Sequence, residues 1–303
     1  MTPDGVPKVI CIAGPTASGK SGLAVKLARR CLGEVINADA LQVYSDLRVI
    51  SARPNASEMN GVPHHLFGHI DGAHRYSTGQ WLRDAAQIIP QVMARGHTPI
   101  VVGGTGLYFK ALTQGLAQIP KVSMERANEI LRVSGISGLR EAAERLDAKA
   151  AAKVLGRDPQ RLLRIVSVAL ETEKPLSHWQ EGTRPLVPEN YYAAAVLMPA
   201  RAELYGRINA RFDQMVEAGG LKEVRRLTQR GLAADLPVMR AIGVKTVAEH
   251  IRGERTLESA IDLAKRDTRR FAKRQMTWFR GQAKTWPKLE NISQIDQFIG
   301  DLF

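Results

Sequence analysis

Residues 14–21 read Gly-Pro-Thr-Ala-Ser-Gly-Lys-Ser, a full match to the pattern G-x-x-x-x-G-K-[ST]. The chemistry this spacing serves is the binding of a phosphate chain. Glycines let successive backbone N–H groups wrap the anion, Lys20 reaches the terminal phosphate, and the Ser21 hydroxyl is available to Mg²⁺. The apolar run Val9, Ile10, Cys11, Ile12, Ala13 precedes the loop, and Leu23 and Leu27 follow at helical spacing. That is the strand and helix the motif requires, with the positive end of the helix dipole on the anion. A chance glycine turn explains neither the Lys-Ser pair nor the amphipathic continuation.

Other residues with chemical potential fall after predicted strands. Asp39, in Asn37-Ala38-Asp39-Ala40-Leu41-Gln42, follows the second apolar run, where ligands of open α/β sheets bind. Its carboxylate can serve a Mg²⁺ shell, accept a proton from an incoming nucleophile, or cap a helix. The run 100–102 ends in Gly103-Gly104-Thr105-Gly106 rather than in the metal-binding Asp common in ATP- and GTP-hydrolysing enzymes. Glycines there would admit a close ligand and Thr105 would offer it a hydroxyl; a bare tight turn is the plain alternative. His64 and His65 lack the further ligands a zinc site needs, so a structural or substrate-lining role is expected. Asp158-Pro159-Gln160-Arg161-Leu162-Leu163-Arg164 opens a helix with Pro in its first turn. Gln160, Arg161 and Arg164 form either a fork of donors for phosphate and base edges or an ordinary solvated face, with Leu163 and Val166 inward.

Charge narrows the class of partner. The chain carries a net +13, and from Lys265 to Lys288 nine Lys or Arg stand against one acid, Asp267. Leu263, Phe271 and Trp278 make the apolar stripe of that predicted helix, and Arg266, Arg270, Lys273, Arg274 and Arg280 cover its other faces. Such density points to a polyanion, most commonly nucleic acid, or to a solvated basic surface. Cys11 and Cys31 have no metal-ligand spacing and read as reduced packing residues. No apolar run approaches a membrane span and no cleavable signal is evident, so a cytoplasmic protein without membrane contact is expected.

The elements that position these groups alternate strand and helix over the first 120 residues. Apolar runs lie at 9–13, 35–37 and 99–102, and helical patterns at 21–30 and 78–95. This predicts βαβ units on a parallel sheet. From 123 to 172 only short helical patterns occur, broken at Gly135, Gly138 and Gly156; a further strand follows at 191–198. The helical block therefore reads as an insertion. Helices are then expected over 201–230, 244–252 and 256–281.

Taken together, Gly14-Pro-Thr-Ala-Ser-Gly-Lys-Ser21, Ile36-Asn-Ala-Asp39, Val62-Pro-His-His-Leu66, Gly103-Gly-Thr-Gly-Leu-Tyr-Phe-Lys-Ala-Leu112, Asp158-Pro-Gln-Arg161 and Ala272-Lys-Arg-Gln-Met-Thr-Trp-Phe-Arg280 resemble the tRNA dimethylallyltransferase (isopentenylpyrophosphate transferase) family. The motifs stand in family order over nearly the whole chain. The resemblance implies a P-loop NTPase-like parallel sheet with flanking helices over 1–120 and 190–303. It also implies an all-helical insertion over 121–189 that meets the anticodon stem-loop. The phosphate loop would hold dimethylallyl pyrophosphate rather than ATP, through Gly14, Thr16, Ala17, Ser18, Gly19, Lys20, Ser21 and Arg211, with Mg²⁺ at Ser21. Asp39 would be the general base on N6 of the adenosine 3′ of the anticodon, with Thr105 beside the reacting groups. Contacts to tRNA would come from Asp39, Ala40, Leu41, Gln42, Thr105, Gln160, Arg161, Leu162, Leu163, Arg164, Arg240, Lys245, Lys273, Arg274, Gln275, Trp278 and Arg280, on a monomer. The chain departs from the pattern at Ala40, Arg53 and Val244, usually Ser, Lys and Tyr. A phosphate-loop small-molecule kinase is the alternative reading, and a non-catalytic RNA-binding protein a third.

Overall fold

The computed structural model describes residues 8–302. The chain divides into two compact units, Met1–Thr113 with Leu186–Phe303, and Gln114–Pro185. The division falls several residues before the expected one at both ends.

The first unit is built on six parallel strands: β1 Val9–Ala13, β2 Gly33–Asn37, β3 His64–His65, β4 Thr98–Gly103, β5 Tyr192–Leu197 and β6 Lys288–Leu289. Their order across the sheet is β3-β2-β4-β1-β5-β6. β1 and β2 are buried at every position. Continuous apolar runs, rather than alternating ones, are what a parallel sheet covered on both faces demands. The two-residue strands β3 and β6 are too short to leave a periodic signal, and both escape sequence analysis.

Helices connect the strands: α1 Lys20–Arg30, α2 Ala56–Met59, α3 Thr78–Ala94 and α4 Gly106–Gln114. One face of the sheet presents Cys11, Ile36, Val101 and Val196 to Trp81 of α3, Phe109 of α4 and Phe279 further along the chain. The other face packs Ile10, Ile12, Val35 and Ile100 on Leu23 and Leu27 of α1. Trp81 is fully buried, stacks on Tyr108 at 4.5 Å, and donates its indole N–H to the Asn37 carbonyl at 2.6 Å. The end of β2 is thereby anchored from below.

The second unit holds α5 Glu125–Leu146, α6 Ala148–Ala151, α7 Pro159–Thr172 and α8 Leu176–Gln180. Gly135 takes φ 64° and ψ −167° and breaks α5 there, whereas Gly138 is absorbed into the helix. The Asp158 side chain caps α7 by accepting from the Gln160 and Arg161 amides, with Pro159 in the first turn. Leu139, Ala143, Leu162, Leu163 and Val166 form this unit's own core.

Chain returning to the first unit forms α9 Arg201–Met215, α10 Leu221–Gln229, α11 Val244–Ile251, α12 Leu257–Gln282 and α13 Ile292–Gly300. The single helix expected over 201–230 is interrupted by a wide π turn in which Gly219 takes φ 97°. In α12 the buried residues are Ala260, Ala264, Ala272, Gln275, Met276 and Phe279, while Leu263, Phe271 and Trp278 are half-buried. The expected stripe is thus displaced, because small alanines let α12 lie close on its neighbours. Before and after the second unit the chain runs adjacent, the Val187 amide donating to the Leu112 carbonyl at 3.0 Å.

At the opposite end of the sheet from the strand termini, Glu34 is 2 % exposed and accepts from Arg95 at 2.9 and 2.7 Å, His65 at 2.5 Å and His97 at 2.7 Å. The Arg95 guanidinium, aided by the two imidazoles, holds its carboxyl down at about 2 despite burial. His65 is therefore a structural residue. Because the folded carboxyl titrates below the unfolded one, its stabilisation is complete above the ordinary value of 4.5 and is lost as pH falls toward 2. Urea unfolding of Glu34→Gln at neutral pH is expected to lose about 3 kcal/mol, and the variant should lack most of the wild-type decline across that acid range.

Candidate active site

Parallel strands deliver their carboxyl ends to one side, and β1, β2 and β4 end here in the phosphate loop, in Asp39 and in Gly103-Gly104-Thr105. Their approach is closer than side chains would permit. A Cβ on Gly103 would overlap the Ala38 carbonyl, one on Gly104 the Gln275 amide, and one on Gly106 the Trp278 indole. These glycines admit neighbouring protein elements rather than a ligand, which corrects the expectation.

The loop is preformed. Ala17 and Gly19 take φ values of 62° and 93°, turning the backbone left-handed, and α1 starts at Lys20. Arg207 of α9 donates to the Ser18 carbonyl at 3.3 Å while pairing with Glu203 at 2.5 Å. Lys20 folds back on the loop, Nζ donating to the Pro15 carbonyl at 3.2 Å. Burial brings its ammonium down to about 8, against the attraction of Asp39 and with the repulsion of Arg211. Burial likewise lowers Arg211, against the attraction of Glu58 and Asp39, and its hydrogen-bond partner among the described residues is the Ala52 carbonyl, at 3.5 Å. Two cations crowd one place without a carboxylate in salt-bridge contact among the described residues. An anion arriving there would relieve both.

Asp39 is held from its backbone outward. Buried Asn37 donates Nδ2 to the Asp39 and Leu66 carbonyls, both at 3.0 Å, and its Oδ1 accepts from the Asp39 amide at 2.9 Å. Asp39 Oδ1 accepts from the Leu41 amide at 3.0 Å in a tight turn, and no helix starts there, so the helix-capping alternative is not realised. Oδ2 has no partner among the described residues. Thr105 Oγ1 accepts from the Ala40 amide at 2.9 Å, and the Thr105 amide donates to Ala38. The hydroxyl proton stays available beside Asp39. Asn37 stands within the Ile36-Asn-Ala-Asp39 motif without a role of its own being evident there, and Arg207, one Arg among many, carries no motif signal.

A pocket opens beside these groups, lined by Asp39, Thr16 and Arg211 and by the apolar side chains of Ile208, Phe212 and Phe271. A lining that mixes charged and apolar groups suits a ligand with both an anionic and a hydrocarbon end. Ser21 is exposed at the first turn of α1. Among the described residues no three His, Cys, Asp or Glu side chains converge as a metal site. A lone hydroxyl is compatible with Mg²⁺, which keeps most of its waters and takes further oxygens from phosphate.

Several residues expected at an RNA surface lie elsewhere. Leu162 and Leu163 are buried in the second unit's core, because the face of α7 opposite its charged fork is the one that packs. Gln275 is 6 % exposed and bonds the Thr16 amide and Gly104 carbonyl, both at 2.9 Å. Gln42 gives both amide hydrogens to the Ser51 and Ala52 carbonyls. Trp278 packs over Gly106 and is half-buried. Ala40 and Leu41 are half-buried beside Asp39. Arg240, Lys245, Lys273, Arg274 and Arg280 are exposed, as are Gln160 and Arg161; Arg164 is half-buried. Of the α12 cations, Arg266 and Arg270 approach Asp267 at 3.3 and 3.7 Å, leaving Lys273, Arg274 and Arg280 without acidic partners among the described residues.

The family model described as IPP transferase matches residues 42–282, and that described as isopentenyl transferase matches residues 7–67. The tRNA dimethylallyltransferase of Maricaulis maris (strain MCS10) is 50 % identical over 286 residues, 93 % of each chain. That of Caulobacter sp. (strain K31) is 47 % identical over 289 residues, 94 % of each. Among solved structures, the tRNA isopentenylpyrophosphate transferase of Bacillus halodurans aligns with a TM-score of 0.70 at 34 % identity, over 98 % of this chain and 95 % of that one. A eukaryotic dimethylallyltransferase acting on tRNA aligns with a TM-score of 0.81 at 27 % identity, over 97 % and 77 %.

The depressed Lys20 makes anion affinity depend on pH. Free protein holds the ammonium charged below about 8 and loses the proton above it, whereas a bound anion retains it. The Lys20 contribution to the calorimetric affinity for inorganic pyrophosphate should therefore hold steady below about pH 8 and fall by up to about tenfold per pH unit above it. Dividing by the affinity of Lys20→Arg, whose guanidinium stays charged, removes the ligand's own titration. A ratio that does not change with pH would contradict the assignment.

Proposed function

Because the chain belongs to the tRNA dimethylallyltransferase family, we propose that it transfers a dimethylallyl group from dimethylallyl pyrophosphate to N6 of the adenosine 3′-adjacent to the tRNA anticodon. The observation that supports the donor assignment is the pocket beside Asp39, whose lining joins Arg211 and the phosphate-loop residues Thr16 and Ala17 to the apolar side chains of Ile208, Phe212 and Phe271. An allylic diphosphate has an anionic and a hydrocarbon end to match that mixed lining.

The allylic C1–O bond breaks, the N6–C1 bond forms, and one N6 proton leaves. Lys20, Arg211 and the loop amides take up the charge that collects on the departing pyrophosphate, where preorganised donors act most strongly. Mg²⁺, held by Ser21 and diphosphate oxygens, would add positive charge there. Asp39 Oδ2 receives the N6 proton, its partner oxygen being fixed by the Leu41 amide. The Thr105 hydroxyl, anchored by the Ala40 amide, has its proton free to orient the adenine. The target base lies in a loop stack and must be extruded to reach Asp39. Lys273, Arg274 and Arg280 on α12, with Arg240 and Lys245, would meet phosphates of the RNA, and Gln160, Arg161 and Arg164 on α7 would meet the anticodon stem.

Labelled dimethylallyl pyrophosphate incubated with protein, Mg²⁺ and unmodified tRNA should place label in RNA; consumption of ATP with a small-molecule acceptor would instead support a kinase. In that assay Asp39→Asn should retain tRNA binding and lose about 10² to 10⁴ in single-turnover rate. Undiminished transfer by this variant would remove Asp39 from the base role. For the basic surface, Arg274→Ala and Arg161→Ala should each weaken tRNA binding and flatten the plot of log K against log salt by roughly one or less. Wild-type affinity and slope in both would make these charges a solvated face.

A further inference from the structure

Gln275 stands apart from the other polar residues of α12. It is buried on a helix whose neighbouring Lys273 and Arg274 are exposed, and it bonds two elements remote in sequence. Its Oε1 accepts from the Thr16 amide at 2.9 Å, and its Nε2 donates to the Gly104 carbonyl at 2.9 Å. One primary amide thus ties the second residue after the Gly14 turn to the end of β4, next to Thr105. The fit is close: the absence of a Cβ at Gly104 is what makes room for Nε2. The Thr16 amide is consumed by this bond, so it is withdrawn from the set that can face an anion. The bond also fixes the backbone immediately before Ala17, the residue held left-handed at φ 62°. A left-handed alanine persists only where its surroundings impose it.

We propose that Gln275 is a positioning residue for the reaction, setting the phosphate loop in its anion-binding shape. It would also join that loop, through one side chain, to the helix that carries the exposed cations Lys273, Arg274 and Arg280. The inference rests on the prenyl-transfer reading above. Gln275 touches neither donor nor acceptor in this role. It acts by holding Thr16 and Gly104 in register, so that the loop amides, Lys20 and Thr105 face one reacting centre without rearrangement.

Gln275→Met keeps the length and volume of the side chain and removes both hydrogen bonds. It is expected to raise the KM for dimethylallyl pyrophosphate and the Kd for inorganic pyrophosphate by about tenfold or more, while tRNA affinity by filter binding stays near wild type and the melting temperature falls by no more than the few degrees that two unmet polar groups cost. Gly104→Ala pushes Nε2 aside and should produce the same donor defect. Combined with Gln275→Ala, which empties the space, Gly104→Ala should cost markedly less than it does alone, a coupling that only shared geometry yields. Wild-type donor KM and pyrophosphate affinity in Gln275→Met would overturn the proposal. So would additive effects in the Gly104→Ala and Gln275→Ala pair, or a donor defect in every variant that tracks loss of folded protein. Failure of wild type to prenylate tRNA would instead refute the reaction itself, which the pyrophosphate measurements do not depend on.

Discussion

Three strand ends meeting at less than side-chain distance is the constraint on which the rest of this molecule depends. Ala38 and Gly103 lie against each other so closely that any Cβ on residue 103 would overlap the Ala38 carbonyl. From that contact follow the Thr105 amide bond to Ala38, the Thr105 hydroxyl bond to Ala40, and hence the place of Asp39. The parallel sheet supplies direction by sending β1, β2 and β4 to the same side. Glycine supplies the distance.

Electrostatics is partitioned along the same sheet. Near its amino-terminal edge Glu34 gathers Arg95, His65 and His97, so opposite charges meet and stabilise the fold. At its carboxyl edge Lys20 and Arg211 crowd together with no salt-bridge partner among the described residues, and burial lowers both. The first arrangement is complete in itself. The second has only the attraction of Asp39 and Glu58 to set against burial, and an arriving anion would complete it, as is expected at a functional end.

Much of this was legible in the residues because the relevant signals are local. The phosphate loop announces itself by spacing, the buried strands by unbroken apolar runs, and the start of α7 by Asp158 and Pro159. What escaped depends on contacts distant in sequence. Gln275 lies 259 residues from Thr16, and nothing in a basic helix distinguishes an inward glutamine from a solvent-facing one. The α12 stripe was displaced for a related reason: alanines bury as well as large apolar residues when helices pack closely, yet they contribute little to a periodic pattern. Glycines 103, 104 and 106 were read as room for a ligand, although they make room for Ala38, Gln275 and Trp278. Sequence marks where space is needed without saying what fills it. The two-residue strands β3 and β6 were missed because two residues have no period.

The helical unit enters and leaves the sheet domain through adjacent chain, where the Val187 amide meets the Leu112 carbonyl. Its 72 residues, 114 through 185, are therefore inserted into the chain of the sheet domain at a single point. The flanking ends are already within reach of a short turn. Every strand pairing of the sheet lies outside those residues, so a change in the unit's length would break no rung of the ladder.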